Sequence, residues 1–251
     1  MHPIRRWIVT GAASGIGLAV VRLLAAQGEH AVLWDSNAAE LEKTARELGC
    51  SFVVVDVTQQ EQVQQAMTQA VAQLGGLDVL IHCAGILRTG LFEEMTPDTS
   101  QKLVSVNLVG TLLVTHAALP FLKQNRGSLI LAGSVSSFYG VPEYAIYGAT
   151  KAAVMNLAQA LRVEQPDVHI GIFNPNTVDT PMVRGLDQPT RFIHKFGMIH
   201  SAEEVAAAIL RGVERRQFMI WPSVQPRLLF LLTRILNPFL SYRLMKRLWK
   251  V

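Results

Sequence analysis

The chain has 251 residues, half of them hydrophobic, which is enough for one α/β domain with a sizeable core. Two cysteines, Cys50 and Cys83, are too few for a disulfide framework, so we expect a reducing compartment. The net charge is +4, but residues 222–251 carry six cations and no acid, which leaves −2 for the remainder and does not favour a nucleic-acid-binding body.

Short apolar strands alternate with helical patterns along the chain. Strands are predicted at 7–10, 31–35, 52–56, 78–83, 128–133, 168–174 and 218–221, and helices at 15–27, 38–48, 61–74, 98–123, 145–164 and 202–215. Ser201 and Glu204 form a capping-box sequence at the start of the last helix. The alternation predicts an α/β fold with a Rossmann-type, doubly wound parallel sheet of about seven strands, in the order 3-2-1-4-5-6-7, with helices on both faces.

A glycine-rich turn, Thr10-Gly11-Ala12-Ala13-Ser14-Gly15-Ile16-Gly17, joins the first strand to the first helix. Here free backbone N–H groups and the positive helix end can bind a pyrophosphate. Gly11 permits the tight turn, Gly15 lets the backbone approach a phosphate, and Gly17 lets helix and strand pack closely. A simple strand-to-helix turn could show the same glycines.

Two acids lie at the ends of the next two predicted strands. Asp35 follows Gly17 by 18 residues, where a carboxylate can accept hydrogen bonds from both hydroxyls of an adenosine ribose and would repel a 2′-phosphate. Since Ser36 and Asn37 follow it and no cation does, NAD is favoured over NADP. Asp56, with Val57 beside it, is placed to meet the adenine amino group. Asp35 could instead be a solvated loop acid or a helix cap, and Asp56 a helix cap.

Tyr147 and Lys151 are four residues apart at the start of a predicted helix, so their side chains share one face. A tyrosine that acts near neutral pH needs a pKa roughly 3 below its ordinary value, which corresponds to about 4 kcal/mol, and a neighbouring ammonium can supply part of this. Ser134, thirteen residues before Tyr147, could hold a substrate oxygen. Ser136 and Ser137 compete for that role, and all three could be loop caps.

Taken together, these features resemble the short-chain dehydrogenase/reductase family in its compact form, over roughly residues 5–221. The matching pieces, in the family's order and spacing, are Thr10–Gly17, Asp56-Val57, Ala84-Gly85, Val106-Asn107, Ser134, Tyr147–Lys151, Pro175, Val178 and Thr180.

The resemblance implies a catalytic set of four residues. Tyr147 would be the general acid/base, Lys151 would lower its pKa and bind the nicotinamide ribose, and Ser134 would orient the substrate oxygen. Asn107 would hold a helix bend and a water that links Lys151 to solvent. The implied cofactor-binding residues, with Val178 and Thr180 at the carboxamide, are Gly11, Ser14, Gly15, Ile16, Gly17, Asp35, Asp56, Val57, Cys83, Ala84, Gly85, Tyr147, Lys151, Pro175, Val178 and Thr180.

Two departures from the family pattern fall close to this predicted site. His82 and Cys83 replace the first two residues of the usual Asn-Asn-Ala-Gly, and the asparagine lost at Cys83 normally braces the sheet. We expect Cys83 to pack as a small hydrophobe and His82 to be a tolerated residue at a strand end. Pro175-Asn176 replaces Pro-Gly, so Asn176 would have to accept a loop shaped by glycine, with left-handed geometry.

Residues 182–200 lie where the family has its substrate lid, and the segment is largely apolar. This favours a lipophilic or bulky substrate, although ordinary core packing would explain half of these residues. Four basic residues could instead meet a substrate carboxylate: Arg184, Arg191, His194 and Lys195.

Residues 222–251 form a basic, hydrophobic extension of the domain at 1–221. Its longest uncharged run, Leu228–Thr233, is far below the roughly 20 residues needed to span a bilayer. The extension could lie peripherally on an anionic membrane, with a break at Pro238, or pack on the domain or a partner subunit. No apolar leader follows Met1, and we expect a cytoplasmic protein, with membrane association through the extension as an alternative.

The sequence therefore predicts an NAD-dependent oxidoreductase that interconverts a lipophilic alcohol and its carbonyl compound, without a metal. The resemblance implies a homodimer or homotetramer. The alternative hypothesis is a non-catalytic nucleotide-binding or membrane-docking protein that keeps the fold. A sugar-nucleotide epimerase fits poorly, because those relatives are longer and usually carry a different glycine spacing.

Overall fold

A computed structural model describes residues 5–186, 190, 191, 193, 200–224, 227, 228, 230, 231 and 246. These residues form a parallel seven-stranded sheet in the order β3-β2-β1-β4-β5-β6-β9, which confirms the predicted Rossmann-type topology. The strands are β1 Arg6–Thr10, β2 His30–Asp35, β3 Ser51–Val54, β4 Val79–His82, β5 Ser128–Ala132, β6 His169–Phe173, β7 Val178–Asp179, β8 His200–Ser201 and β9 Met219–Ile220. The short strands β7 and β8 pair with each other outside the main sheet.

The helices cover both faces of the sheet. They are α1 Gly15–Ala26, α2 Ala38–Leu48, α3 Gln60–Leu74, α4 Pro97–Val104, α5 Gly110–Gln124, α6 Ala145–Glu164, α7 Pro181–Arg184 and α8 Ala202–Glu214. Two 3₁₀ turns lie at Phe92–Glu94 and Val135–Ser137, and a π-helical turn lies at Ser105–Val109. The predicted capping box of α8 is confirmed, since Ser201 and Glu204 each accept a backbone hydrogen bond from the other.

Two apolar clusters hold the layers together. On one face α1, α2 and α8 pack on strand residues that include Val9 and Ile81. On the other face α3, α5 and α6 pack on strand residues that include Ile8 and Leu80. Because neighbouring residues of a strand point to opposite faces, a sheet covered on both sides needs strands that are apolar throughout.

Five strands end one or two residues earlier than predicted, namely β3, β4, β5, β6 and β9, and β3 and β4 end where their partner strands end. β3 ends at Val54, which pairs with Asp35 at the end of β2, and β4 ends at His82, which pairs with Thr10 at the end of β1. The predicted strand at 168–174 likewise ends at Phe173. The residues beyond, among them Asp56 and Cys83, therefore lie in loops at the carboxyl edge of the sheet, where ligands bind in this class of fold.

The helix predicted at 98–123 is present, but it has a π-helical turn inside it. It runs from Pro97 to Gln124 and is long and apolar enough by composition to cross a membrane. Here α4 packs against α6 and α5 against α3, and residues such as Val114, Ala118 and Leu122 belong to the apolar cluster on that face.

Candidate active site

The turn between β1 and α1 is built so that glycine is required at three places. Gly11 and Gly15 have φ of +67° and +53°, in the left-handed region that side chains disfavour. A Cβ atom on Gly11 would lie 2.9 Å from the backbone of Ala84, and one on Gly17 would lie 2.1 Å from the carbonyl oxygen of Gly11. The glycines thus allow β1, β4 and α1 to approach one another closely.

The same turn leaves the first helix open at its positive end. Ser14 caps α1 with extended backbone geometry and without a side-chain hydrogen bond, and no acid lies in the first turn of the helix. The N–H groups at this end can therefore meet an anion. A Cβ on Gly15 would come within 3.2 Å of the Thr180 side chain, so the two residues form a narrow place in the cleft.

Asp35 is held in one orientation by backbone donors. Its two carboxylate oxygens accept hydrogen bonds from the N–H of Ala13 at 3.1 Å and of Asn37 at 2.9 Å. Each oxygen keeps a further lone pair, and Asp35 lines the cleft beside the glycine turn. Asp35 does not cap α2, because that helix is capped by the Asn37 side chain.

Asp56 also lines the cleft, but one of its oxygens is already used. Its Oδ1 accepts hydrogen bonds from the backbone N–H of Thr58 at 2.9 Å and from its hydroxyl at 2.7 Å. Asp56 does not cap α3, whose capping residue is Gln59. The residue forms a local turn and presents Oδ2 as its other acceptor.

A long cleft brings together most of the residues predicted to bind the cofactor. The predicted residues that line it are Gly11, Ser14, Gly15, Ile16, Gly17, Asp35, Asp56, Val57, Cys83, Ala84, Gly85 and Thr180. The other predicted residues, Tyr147, Lys151, Pro175 and Val178, line a second pocket that shares Ile16, Cys83, Gly85 and Thr180 with the cleft.

One wall of the cleft was missed by the sequence analysis. Asp98, Gln101 and Lys102 of α4, with Ser105 and Val106 of the π-helical turn, line it. The three residues of α4 are exposed polar positions of a helix distant in sequence from the glycine turn, so no local pattern marks them as part of the cleft.

Tyr147 and Ser134 meet in the second pocket. Tyr147 lies in the first turn of α6, and Ser134 precedes the 3₁₀ turn after β5. Ser134 Oγ accepts a hydrogen bond from the N–H of Ser136 at 3.1 Å. Burial raises the pKa of Tyr147 to about 12, and the nearby hydroxyl of Ser134 opposes that rise.

Lys151 lies one helical turn beyond Tyr147 and is only 5 % exposed. Its Nζ donates to the carbonyl oxygen of Ala132 at 3.0 Å and lies 5.7 Å from the centre of the Tyr147 ring. Burial lowers the pKa of Lys151 to about 8. Without a bound cofactor, burial therefore outweighs the lowering of the Tyr147 pKa that the resemblance implies for Lys151, whose Nζ lies over the Tyr147 ring.

Asn107 is fully buried in the π-helical turn. Its Oδ1 accepts from the N–H of Ile86 at 2.8 Å, and its Nδ2 donates to the carbonyl oxygen of Ile86 at 2.9 Å. A Cβ on Gly85 would lie 3.2 Å from Asn107 Oδ1 and 3.7 Å from Lys151 Nζ. Asn107 thus joins the irregular helix to the loop after β4, close to the lysine.

The second pocket has mainly apolar walls. Leu87, Val141 and Tyr144 form a small apolar cluster that also contacts Val183 and Leu186. The Tyr144 hydroxyl lies 2.9 Å from the hydroxyl of Thr190, within the predicted lid. From that lid Met182, Val183 and Ile193 line the pocket, whereas Phe192, His194, Lys195, Phe196, Met198 and Ile199 lie outside the described residues.

Arg184 already has a charged partner within the protein. It forms two hydrogen bonds with the carboxylate of Asp179, at 2.7 and 2.8 Å, on the surface. It does not line the pocket as far as the described residues define it. The backbone N–H of Arg191 donates to a carboxylate oxygen of Glu143 at 2.9 Å.

Comparison with known proteins identifies the family to which this arrangement belongs. The family model of the short-chain dehydrogenases matches residues 5–191. The chain is 30 % identical to 11-beta-hydroxysteroid dehydrogenase-like 3 of Arabidopsis thaliana, over 94 % of this chain and 79 % of that protein. It is 35 % identical to an uncharacterised oxidoreductase of Staphylococcus epidermidis, over 72 % of this chain and 80 % of that protein.

A solved structure is also similar to this chain. An alcohol dehydrogenase from the archaeon Thermococcus sibiricus, complexed with 5-hydroxy-NADP, has a TM-score of 0.77 and 28 % identity, covering 86 % of this chain and 95 % of that chain. This chain belongs to the short-chain dehydrogenase/reductase family. It is an oxidoreductase of that family, with a Rossmann-type nucleotide-binding fold.

The chain departs from its family pattern at His82, and the structure gives that residue a contact. His82 Nδ1 lies 2.9 Å from the hydroxyl of Thr10, which also accepts from the N–H of Ala84 at 3.1 Å. The ring is 1 % exposed, and its Nε2 has no hydrogen-bond partner among the described residues. Burial lowers the pKa of His82 to about 3. His82 is therefore more than a tolerated residue, because it joins the ends of β1 and β4.

Cys83 lies where the cleft and the pocket meet. Burial raises the pKa of its thiol to about 12, while the charge of Lys151 opposes the rise. The thiol therefore stays protonated near neutral pH, which agrees with packing and not with redox chemistry. The backbone N–H of Cys83 donates to the carbonyl oxygen of Thr10 at 3.2 Å, so the backbone continues the brace between β1 and β4.

The left-handed geometry considered for Asn176 is wrong. The residues other than glycine with positive φ in the described chain are Arg126, Glu143 and Arg216. Asn176 instead uses its side chain, whose Oδ1 accepts from the N–H of Thr177 at 2.9 Å. The loop between β6 and β7 is thus shaped by a side-chain hydrogen bond where the family usually has glycine.

Proposed function

We propose that the protein is an NAD(H)-dependent alcohol dehydrogenase or carbonyl reductase that acts on a lipophilic substrate. The observation that carries the proposal is the meeting of Ser134, Tyr147 and Lys151 in one apolar pocket that adjoins the nucleotide cleft. A proton donor, a hydroxyl that can orient an oxygen and a buried cation are the groups that carbonyl reduction requires.

The proton transfer is assigned to Tyr147. A carbonyl oxygen placed beside Ser134 Oγ would accept hydrogen bonds from both hydroxyls, and Tyr147 would give it the proton as the alcohol forms. The raised pKa of Tyr147 keeps its phenol neutral, which is the form that donates. A bound nicotinamide ring would supply or accept the hydride at the substrate carbon. In alcohol oxidation Tyr147 would take the proton instead, and Lys151 would stabilise the phenolate.

The residues of the cleft fit a nicotinamide dinucleotide. The open end of α1 suits a pyrophosphate, and Lys151 Nζ, near Gly85 at the junction of cleft and pocket, suits the nicotinamide ribose. Asp35, fixed by two backbone donors, suits the adenosine ribose. Asp56 and Val57 line the part of the cleft assigned to adenine.

NAD is proposed in preference to NADP on electrostatic grounds. A 2′-phosphate would meet the carboxylate of Asp35, and Ser36 beside it offers no positive charge. Among the described residues that line the cleft, Lys102 is the one cation, and it comes from α4 and not from the loop after β2.

A lipophilic substrate is proposed because apolar side chains surround the catalytic hydroxyls. Ile86, Leu87, Val141, Val183 and Ile193 line the pocket. Arg184, which could have bound a carboxylate, is paired with Asp179. The Arabidopsis thaliana relative is named as hydroxysteroid dehydrogenase-like, and its substrate class is consistent with such a pocket.

Tyr147→Phe tests the catalytic assignment. Removal of a general acid/base lowers turnover by about 10²–10⁴-fold, so we expect that loss in kcat with NADH binding retained. Tyr139→Phe is the matched control, since its hydroxyl is buried without a hydrogen-bond partner among the described residues and does not line the pocket. Unchanged turnover in Tyr147→Phe, measured with medium-chain to steroid-sized alcohols and ketones, would refute the assignment.

Asp35→Ser tests the cofactor assignment. Loss of two hydrogen bonds to a charged acceptor, at about 1.5 kcal/mol each, should raise the Kd for NADH by about a hundredfold while NADPH binding improves. Titration of both cofactors by protein fluorescence checks this. A wild-type preference for NADPH contradicts the proposal. Tight NADH binding without turnover of any substrate would favour the non-catalytic alternative.

We also propose that the protein is a homodimer or homotetramer. Val104 and Val109, each 39 % exposed, lie on the outer side of the helix that contains the π-helical turn. Such exposed apolar side chains on a helix are consistent with a subunit contact. Sedimentation velocity of the full chain measures the state, and a monomer at micromolar concentration would contradict the proposal.

A further inference from the structure

Three exposed apolar side chains follow the last strand of the sheet. Residues 224, 227, 228, 230 and 231 are helical, and Val224, Leu228 and Leu231 are 67 %, 54 % and 44 % exposed. Spacings of four and three residues correspond to one side of a helix. We call these three side chains the apolar stripe.

Aromatic rings hold this segment on the domain. The Phe230 ring lies 4.7 Å from the ring of Phe138 and 5.5 Å from that of Trp221, measured between centroids, and the rings of Phe138 and Trp221 are 5.8 Å apart. Among the described residues of this segment, Phe230 packs inward, while Leu228 and Leu231 stay exposed. The ring contacts of Phe230, which we call the anchor, therefore hold the apolar stripe facing outward.

The anchor lies on the side of the molecule that holds the catalytic residues. All seven strands are parallel, so β9 delivers the chain to the same edge of the sheet as the loop that carries Ser134. Phe138 directly follows the 3₁₀ turn Val135–Ser137, and two residues of that turn line the pocket. The segment with the apolar stripe is consequently held beside the pocket.

The charge of residues 222–251 indicates what kind of partner would cover the apolar stripe. Residues 222–251 contain six Lys or Arg residues and no acid, and Arg227, next to Leu228, is exposed. A second copy of the chain would bring two segments of +6 together, which is unfavourable, whereas anionic lipid headgroups complement both the charge and the apolar side chains.

We propose that the apolar stripe, together with the exposed Arg227, binds the protein peripherally to an anionic lipid surface. Val224, Leu228 and Leu231 enter the headgroup region, Arg227 contacts anionic headgroups, and the substrate pocket lies on the side that faces the lipid. This inference does not depend on the proposed activity, since vesicle binding is measured without cofactor or substrate.

Vesicle flotation of the full chain tests the inference. We expect flotation with vesicles of phosphatidylcholine and phosphatidylglycerol, and much weaker flotation with phosphatidylcholine alone or at high salt. Leu228→Gln and Leu231→Gln should each lower the partition coefficient about tenfold, and Arg227→Gln about fivefold. These side chains are exposed, so the variants should keep the wild-type unfolding temperature.

Matched controls come from the opposite edge of the sheet. Val163→Gln removes an apolar side chain that is 81 % exposed near the end of α6, and Arg126→Gln removes an exposed cation between α5 and β5. Both should float like the wild type. The inference is overturned by absence of flotation, by equal partition of Leu228→Gln and Val163→Gln, by flotation that ignores phosphatidylglycerol, or by a dimer that Leu228→Gln dissociates in the absence of vesicle binding.

Discussion

Lys151 is needed for the proposed activity, but its burial lowers the stability of the folded protein. Its ammonium is almost completely buried, and its Nζ donates to the carbonyl oxygen of Ala132. No carboxylate pairs with it in the part of the chain that the structure describes, so burial disfavours the charged form and the pKa of Lys151 falls to about 8. The folded protein therefore holds a proton on this residue less firmly than the unfolded chain does.

We predict that Lys151→Met makes the protein more stable at neutral pH while abolishing turnover. The unfolded chain binds the Lys151 proton up to about pH 10.5 and the folded protein only up to about pH 8, so the wild type gains stability as the pH rises between these values. The advantage of Lys151→Met should therefore be smaller at pH 10 than at pH 7 by about 2 kcal/mol.

Urea denaturation of both proteins at the two pH values measures this difference. Lys123→Met is the control, because Lys123 is exposed near the end of α5 and its replacement should give the same change at both pH values. A Lys151→Met advantage that is independent of pH would show that folding does not lower the pKa of Lys151, in conflict with its burial.

At the scale of elements, the ends of β1 and β4 are braced by side chains as well as by their backbone ladder. Thr10 and His82 are register partners, and the hydroxyl of Thr10 links His82 to the backbone of Ala84. The buried ring must stay neutral, since its pKa is lowered to about 3. This brace therefore makes the sheet sensitive to acid.

We predict that His82→Asn, which restores the usual family residue, reduces the acid sensitivity. The unfolded chain takes up a proton on His82 below about pH 6.5 and the folded protein only near pH 3, so the wild type loses stability as the pH falls through this range. Between pH 7 and pH 5 the loss should be smaller in His82→Asn by about 2 kcal/mol.

Chemical denaturation at both pH values checks the prediction, and the exposed His30→Asn serves as the control. His169 and His200, whose pKa values burial also lowers, remain in every protein compared and so cancel. Equal acid sensitivity in wild type and His82→Asn would mean that His82 is protonated in the fold.

The π-helical turn shows where prediction of elements from sequence stops. The periodicity of residues 98–123 predicts a helix, and Asn107 within it indicates only a polar interruption. The irregular turn depends on two hydrogen bonds between Asn107 and Ile86, which are 21 residues apart. A contact of that separation leaves no local pattern. The strands β7 and β8 are missed because each has only two residues, too few to leave a pattern in the sequence.

At the scale of the whole molecule, the topology and the glycine turn could be predicted because they rest on local periodicity and on backbone sterics. The same holds for Tyr147 and Lys151, which share a helix face. The wall formed by α4 could not be predicted, since Lys102 reaches the cleft only through the crossover between β4 and β5. The pKa of Tyr147 could not be predicted either, because burial depends on the complete pocket.

The extension at 222–251 raises the question of whether it unfolds with the domain. We predicted one domain at 1–221 and an extension that is not a separate domain. Phe230 contacts both Phe138 and Trp221, and Phe138 packs on the apolar cluster beneath α5 and α6. An anchor of this kind couples the described part of the extension to the core.

We therefore predict that Phe230→Ala lowers the free energy of unfolding by about 1–3 kcal/mol, because a half-buried ring and two ring contacts are lost. The transition in urea should remain single, and tryptophan fluorescence should shift to the red as Trp221 becomes solvated. Leu231→Ala is the control. Leu231 is next to Phe230 but exposed, so its replacement should change the free energy of unfolding by no more than about 0.5 kcal/mol. Unchanged stability in Phe230→Ala, or a second transition in the wild type, would show that the extension is energetically separate from the domain.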